Sequence, residues 1–221
     1  SVTSAPRTLS GVMWSDFDAA LFDLDGVITP TAEVHLHAWT SMFDAYLASR
    51  PDAGSPFTED DYLRYVDGKP RYDGVRTFLA SRGIELPEGA DDDAPDLETV
   101  RGLGNRKNAE VTRLLAEVGV QAYPGSLALI DALGARGTAM AIVSSSRNAT
   151  AVLTAAGLID RFPVIMDGLV AAAAGLPGKP APDTFLAAAE GLGVAKERCV
   201  VFEDAISGVR AGKAGGFGLV V

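Results

Sequence analysis

Acidic side chains stand in pairs at two places in this chain, and each pair closes an apolar run. Asp23 and Asp25 follow the start of Ala20-Leu-Phe-Asp-Leu-Asp-Gly-Val-Ile-Thr29, and Glu203 and Asp204 end Cys199-Val-Val-Phe-Glu-Asp204. Carboxylates at the end of a buried strand are costly unless paired, hydrogen-bonded or bound to a cation, so both pairs point to a metal or to chemistry. A third apolar run, 138–144, leads into Ser144-Ser-Ser-Arg-Asn148, and the loop Gly178-Lys-Pro-Ala-Pro-Asp183 offers Lys179. If these strands are neighbours, carboxylates, a hydroxyl and an ammonium meet at one sheet edge. A hard, oxygen-liganded cation such as Mg2+ suits the acids. With Lys179 it would draw a phosphate dianion onto the site, while Ser144 and backbone N–H groups hydrogen-bond the phosphate oxygens. One aspartate can then attack phosphorus to give an acyl phosphate. The other, two residues away, can protonate the leaving oxygen and later deprotonate the next nucleophile.

The elements that must position these groups read as an α/β protein. From residue 121 to 221 helices and strands alternate: helices over 126–136, 148–156, 183–192 and 205–214, and strands over 138–144, 162–166, 199–204 and 218–221. That alternation implies a parallel sheet of Rossmann-like type, joined by crossovers. Ligands of such sheets bind beyond the carboxyl ends of the strands, where the acids lie. Residues 18–30 supply the first strand. Between 31 and 120 the spacing is helical, over 30–47, 60–66, 74–82 and 105–118, which reads as an inserted α-helical cap domain on a discontinuous core of 18–30 and 121–221. The acid-rich stretch 85–98 reads as a solvated loop whose spacing does not fit an EF-hand. Residues 1–17 read as a flexible lead-in. A last strand with no helix after it suggests a chain that continues.

Composition narrows the partners. The chain has 221 residues, 48% of them apolar, enough for one sizeable core or two modest lobes. A formal net charge of -10 argues against broad binding to nucleic acid or an anionic membrane, so an anionic substrate needs a local positive site. Cys199 stands alone, which excludes an internal disulfide and fits a reducing cytoplasm. No stretch reads as a signal peptide or a membrane span. The expectation is a soluble cytoplasmic monomer.

The order Asp23-x-Asp25-Gly-Val, then Ser144, then Lys179-Pro-Ala-Pro-Asp183, then Glu203-Asp204 resembles the haloacid dehalogenase superfamily of phosphotransferases across essentially the whole chain after Asp18. The resemblance implies Asp23 as nucleophile, Asp25 as general acid/base, and Ser144 and Lys179 as phosphate ligands. It also implies a Mg2+ shell of Asp23, the Asp25 backbone carbonyl, Asp204 and Glu203. Phe22-Asp-Leu-Asp-Gly-Val-Ile-Thr29, followed by Thr31, Ala32, Glu33, His35 and Trp39, is similar to the superfamily's β-phosphoglucomutase-like branch. In that branch Thr31 and His35 would couple cap closure to acid/base chemistry, and Arg71 in Gly68-Lys-Pro-Arg71 would grip the distal phosphate. Lys107 and Asn108 would contact sugar or phosphate, and Ser145, Ser146, Arg147 and Asn148 would line the substrate, the last three near the second phosphate. Trp39 reads as packing. Pro30 stands where the branch has an aspartate, and Arg147 where a lysine is common.

The activity implied is interconversion of β-D-glucose 1-phosphate and glucose 6-phosphate through an aspartyl-phosphate, with glucose 1,6-bisphosphate as activator and intermediate. Two other readings stay open. A sugar-phosphate phosphatase would pass the phosphoryl group to water, and an inactive regulatory module would only bind the phosphosugar.

Overall fold

Short apolar runs with no charge on either face pair best where both faces are covered, and the strands of this protein are of that kind. In a computed structural model describing residues 11–52 and 54–221, β1 (Ala19–Phe22), β2 (Ala139–Val143), β3 (Val164–Met166), β4 (Cys199–Phe202) and β5 (Leu219–Val220) form one parallel sheet. The strand order is β3-β2-β1-β4-β5. Successive side chains alternate between two cores, as a pleated strand requires. Ala20, Phe22, Met140, Ile142 and Val200 face α5 (Pro124–Ala135) and α6 (Ala149–Ala155), while Ala19, Leu21, Ala141, Val143 and Val201 face α8 (Asp183–Leu192) and α9 (Ile206–Gly215).

Register then decides where the chemistry falls. Phe22 lies level with Ile142 on β2 and with Phe202 on β4, so Asp23, Val143 and Glu203 come next on three adjacent strands. The chain runs outward from β1 through β2 to β3, then returns to β4 on the other side. The crevice at this reversal is where open parallel sheets bind ligands.

Helices α1 (Ala32–Ala48), α2 (Glu59–Tyr65), α3 (Arg71–Ser81) and α4 (Val100–Val118) build a separate lobe on its own apolar core. Phe43, Phe57 and Phe78 meet at its centre, with ring centroids 4.3 to 5.1 Å apart. Thr58 caps α2, its hydroxyl accepting from the Asp61 N–H while Asp61 reaches back to the Thr58 N–H. Helix α4 begins five residues before the spacing predicted, because Thr99 caps it by accepting from the Gly102 N–H. Gly102 and Gly104 had hidden the apolar period there. Helix α7 (Gly168–Ala173), capped by Asp167, was not foreseen: Ala-rich and short, it carries no periodic signal. Strand β3 starts at Val164, after Pro163, which has no N–H to give a ladder.

The first ten residues of the expected lead-in, 1–10, lie outside the described residues. Trp14 is stacked 6.5 Å from Phe202, and Arg198 donates to the Ser15 carbonyl at 3.0 Å. No helix among the described residues is long and apolar enough to cross a membrane.

Phe78 is fully buried between Phe43 and Phe57. Phe78→Ala is expected to destabilise the protein by about 3–5 kcal/mol in urea unfolding, whereas Leu63→Ala, on an exposed position, stays within about 0.5 kcal/mol. Equal effects would contradict this account of the helical core.

Candidate active site

Asp23 follows β1 directly, and its backbone N–H still donates to the Phe202 carbonyl at 3.0 Å, fixing it beside β4. Three residues on, the chain turns at Gly26, which only glycine can occupy. Its φ is +83°, and a Cβ there would lie 2.1 Å from Asp204 Oδ2. The turn thus lets Asp204 approach Asp23 and Asp25.

Oxygens of Asp23, Glu203 and Asp204 lie within 4.8 Å of one another. Lys179 is buried beneath them, and its three N–H bonds are all used: to Asp23 Oδ1 at 3.2 Å, to Glu203 Oε2 at 2.6 Å and to the Val143 carbonyl at 2.8 Å. Glu203 is fully engaged as well, since its Oε1 accepts from the N–H groups of Asp204 and Ala205 at 3.1 and 3.2 Å. Gly208 makes room for it: a Cβ there would lie 1.9 Å from the Glu203 carboxyl. Glu203 therefore anchors Lys179, while Asp204, exposed, and Asp23 turn oxygens to the pocket.

Crowding of acids leaves its mark on their basicity. Burial, with Asp204 and Asp25 nearby, pushes Asp23 up to about 7 against the pull of Lys179. Burial and Asp23 raise Glu203 to about 7, again opposed by Lys179. Burial lifts Asp204 to about 6, with Glu203 and Asp67 adding to a rise that hydrogen bonding with Asp23 resists. Lys179 is held above the usual lysine value, because Asp23 and Glu203 outweigh its burial. An all-oxygen set of mutually repelling carboxylates fits a hard divalent cation.

Asp25 is tuned the other way. Burial disfavours its charge, but His35 and then Thr31 outweigh burial and draw the carboxyl down to about 2. Thr31 donates to Asp25 Oδ1, and the Thr29 hydroxyl, fully buried, is bonded to Thr31 at 2.7 Å. His35 Nε2 stands 3.2 Å from the same oxygen, and its Nδ1 is 2.7 Å from Lys107 Nζ. Lys107 lies over the Trp39 ring, and burial, with Arg71 nearby, lowers it to about 7. Trp39 itself is stacked on Phe43 in the helical core, as packing predicts.

Around the same pocket stand Arg71 from α3, and Ser144, Ser145, Ser146, Arg147 and Asn148 from the loop after β2. Ser144 Oγ accepts from the Ser146 N–H at 3.1 Å and Ser146 Oγ from the Asn148 N–H at 3.0 Å, which curls that loop. Besides the contacts of Thr31 and His35 with Asp25, three bonds cross from the core to the helical lobe: Ser145 to the Gly68 carbonyl, Asn148 to Asn108 Oδ1, and Ser207 to the Asp67 carbonyl. Thr31, Asn108, Lys179 and Glu203 do not line the pocket but support residues that do. Arg106 points elsewhere, donating to the Pro95 carbonyl at 2.6 Å. Reading the sequence missed Tyr62, Asp67 and Lys69 on the pocket wall; only their closeness to Gly68-Lys-Pro-Arg71 marks them.

Residues 17–216 match the family model for haloacid dehalogenase-like hydrolases. The β-phosphoglucomutase of Mycobacterium tuberculosis is 52% identical over 209 residues, covering 92% of this chain and 79% of the relative. Among solved structures, β-phosphoglucomutase of Clostridium difficile superposes with a TM-score of 0.75 at 26% identity, covering 92% of this chain and 83% of that one. CbbY from Rhodobacter sphaeroides, solved in complex with phosphate, superposes with a TM-score of 0.71 at 26% identity, covering 92% and 85%.

A carboxyl whose pKa is higher folded than unfolded binds its proton more readily in the folded protein, so stability falls as pH rises from the unfolded value through the folded one. For Asp23 that window runs from 3.8 to about 7. Asp25, shifted down, contributes in the opposite sense only below the ordinary 3.8. Without divalent cations the melting temperature is expected to drop between about pH 5 and about pH 7, and Mg2+ to remove most of that drop. A profile that rises over this window, or ignores Mg2+, would contradict the assignment of the acid cluster.

Proposed function

Because the chain belongs to the haloacid dehalogenase-like hydrolase family, we propose that it is a phosphotransferase of that family working as a β-phosphoglucomutase on a phosphorylated sugar. Asp23 would attack the phosphorus of the sugar bisphosphate, and the P–O bond to the sugar would break as Asp25 gives its proton to the leaving oxygen. The aspartyl-phosphate so formed would then pass its phosphoryl group to a hydroxyl of the next sugar phosphate, with Asp25 taking the hydroxyl proton. In this cycle β-D-glucose 1-phosphate becomes glucose 1,6-bisphosphate. After the bisphosphate reorients, the second transfer releases glucose 6-phosphate and restores the phosphorylated enzyme.

Asp23, Asp204 and the Asp25 carbonyl would hold Mg2+, with Glu203 behind them. The bound ion supplies charge neutralisation on the transferring phosphoryl group. Lys179 and Ser144 would hold phosphate, Lys179 exchanging its bond to Asp23 for one to the ligand. Through His35 and Thr31 the helical lobe bears on Asp25, and Lys107 on His35. Lys107, Ser145, Ser146 and Asn148 would complete the sugar-side lining, with Asn108 holding Asn148 from behind.

The observation that carries a mutase over a hydrolase is the presence of Arg71 and Arg147 in the same pocket as Asp23, with no carboxylate paired to either among the described residues. Such a pair suits a second phosphate, which an enzyme passing its phosphoryl group to water has less need to hold. A phosphatase is the second reading, supported by the family's hydrolases and by CbbY with phosphate bound. The lone Cys199 fits the cytoplasm.

The deciding experiment supplies Mg2+, a trace of glucose 1,6-bisphosphate and each anomer of glucose 1-phosphate, and follows glucose 6-phosphate and free phosphate together. Glucose 6-phosphate from the β anomer is expected, and free phosphate alone would establish the phosphatase. Asp23→Asn is expected to abolish turnover and acid-labile phosphorylation alike, and normal turnover would exclude Asp23 as nucleophile. Arg71→Ala should lower mutase kcat/KM by about 10–100-fold, well beyond any loss of hydrolysis. Equal losses would remove its distal-phosphate role.

A further inference from the structure

We propose that Tyr72 is a positioning residue that holds Arg71 and Arg147 side by side without neutralising either, leaving their N–H groups to the distal phosphate of the substrate. The assignment rests on the phosphosugar reading of the pocket.

Arg71 comes from the helical lobe and Arg147 from the core, so closing the two lobes brings like charges together. Burial, and then Arg147, pushes the Arg71 guanidinium below its usual value, while Tyr72 pulls it up. Several other arginines are answered with acids, though Arg50 and Arg106, bonded to the Tyr46 hydroxyl and the Pro95 carbonyl, are not. Arg64, Arg76, Arg82, Arg101, Arg113, Arg161 and Arg198 each have a carboxylate within ion-pair distance. Arg71 has no carboxylate within ion-pair distance among the described residues; its guanidinium meets Asn105 Oδ1 at 3.5 Å and the Tyr72 side chain.

The Tyr72 ring takes the place of an acid. Arg147 Cζ lies 5.0 Å from its centroid and Arg71 Cζ 5.7 Å, within reach of the negative face of an aromatic ring. Arg101 lies 4.6 Å away but is paired with Glu88 and Asp91. A carboxylate in this place would accept the same N–H groups that a phosphate needs. A ring attracts the cations and leaves those donors free.

Tyr72 is fixed well enough to do this. It is buried, its hydroxyl donates to Asn105 Oδ1 at 2.7 Å, and Asn105 in turn donates to the Asp91 and Asp93 carbonyls at 3.0 Å each. Its ring lies against Gly104, where a Cβ would come within 2.7 Å of two ring carbons. The acid-rich loop expected to be solvated therefore anchors Asn105 and balances Arg101.

The test compares Tyr72→Phe, which keeps the ring, with Tyr72→Met, which removes it, in the full chain with Mg2+. Tyr72→Met should raise KM for glucose 1,6-bisphosphate about tenfold with kcat within about twofold, and Tyr72→Phe should stay within about twofold on both. Phosphorylation of Asp23 by acetyl phosphate, a donor with no distal anion, should shift at least about fivefold less than the sugar bisphosphate KM in Tyr72→Met. Should Tyr72→Met fail to fold, Tyr72→Leu takes its place. The assignment is overturned if Phe is as impaired as Met, if both donors lose equally, or if Met matches the wild type. An unaffected Tyr72→Met beside an impaired Arg71→Ala removes Tyr72 alone. An unaffected Arg71→Ala removes the distal-phosphate reading itself.

Discussion

One ammonium group holds this site together. Lys179 lies among the ends of three parallel strands, bonded to an acid after β1, a carbonyl at the end of β2 and an acid after β4. Without it, three carboxyl groups whose oxygens lie within 4.8 Å would stand at a largely buried edge with too little positive charge to offset them. The parallel order of the strands, and the register that sets Phe22 level with Ile142 and Phe202, are the conditions for that meeting. Gly26 and Gly208 are the local ones, each vacating the space that an acid fills.

The two aspartates are set apart by their neighbours. Asp23 shares its surroundings with other acids and is pushed toward neutrality until positive charge arrives. Asp25 is served by donors from the helical lobe and stays ionised. Two carboxyl groups two residues apart thus differ by several pK units, and the order runs against their proposed roles: Asp23 must shed its proton to act as nucleophile, and Asp25 must gain one from outside its resting contacts with His35 and Thr31 to act as the acid.

Much of this was legible in the residues. Apolar runs ending in acids locate β1 and β4 to within a residue or two, and the motif order brings Asp23, Ser144, Lys179 and Glu203 to one region. Where reading fell short, the missing information was three-dimensional. Nothing in the spacing says that both Glu203 oxygens are occupied, or that Asn105 ties a polar loop to Tyr72. Helix starts at Val100 and Arg71 were obscured by glycines and by Pro70, because the cap decided the boundary rather than the apolar period.

Apart from Leu115 of α4, which packs on the α/β core, the helical and α/β parts keep separate apolar interiors, and the contacts between them at the pocket are polar: hydroxyls, amides, carbonyls and the His35–Asp25 pair. Groups of that kind exchange readily with water, at a net cost of roughly 1 kcal/mol apiece. Parting the two lobes would therefore wet mainly polar contacts and leave most of each oily centre dry. Such a separation would draw on a free-energy scale far smaller than that of unfolding.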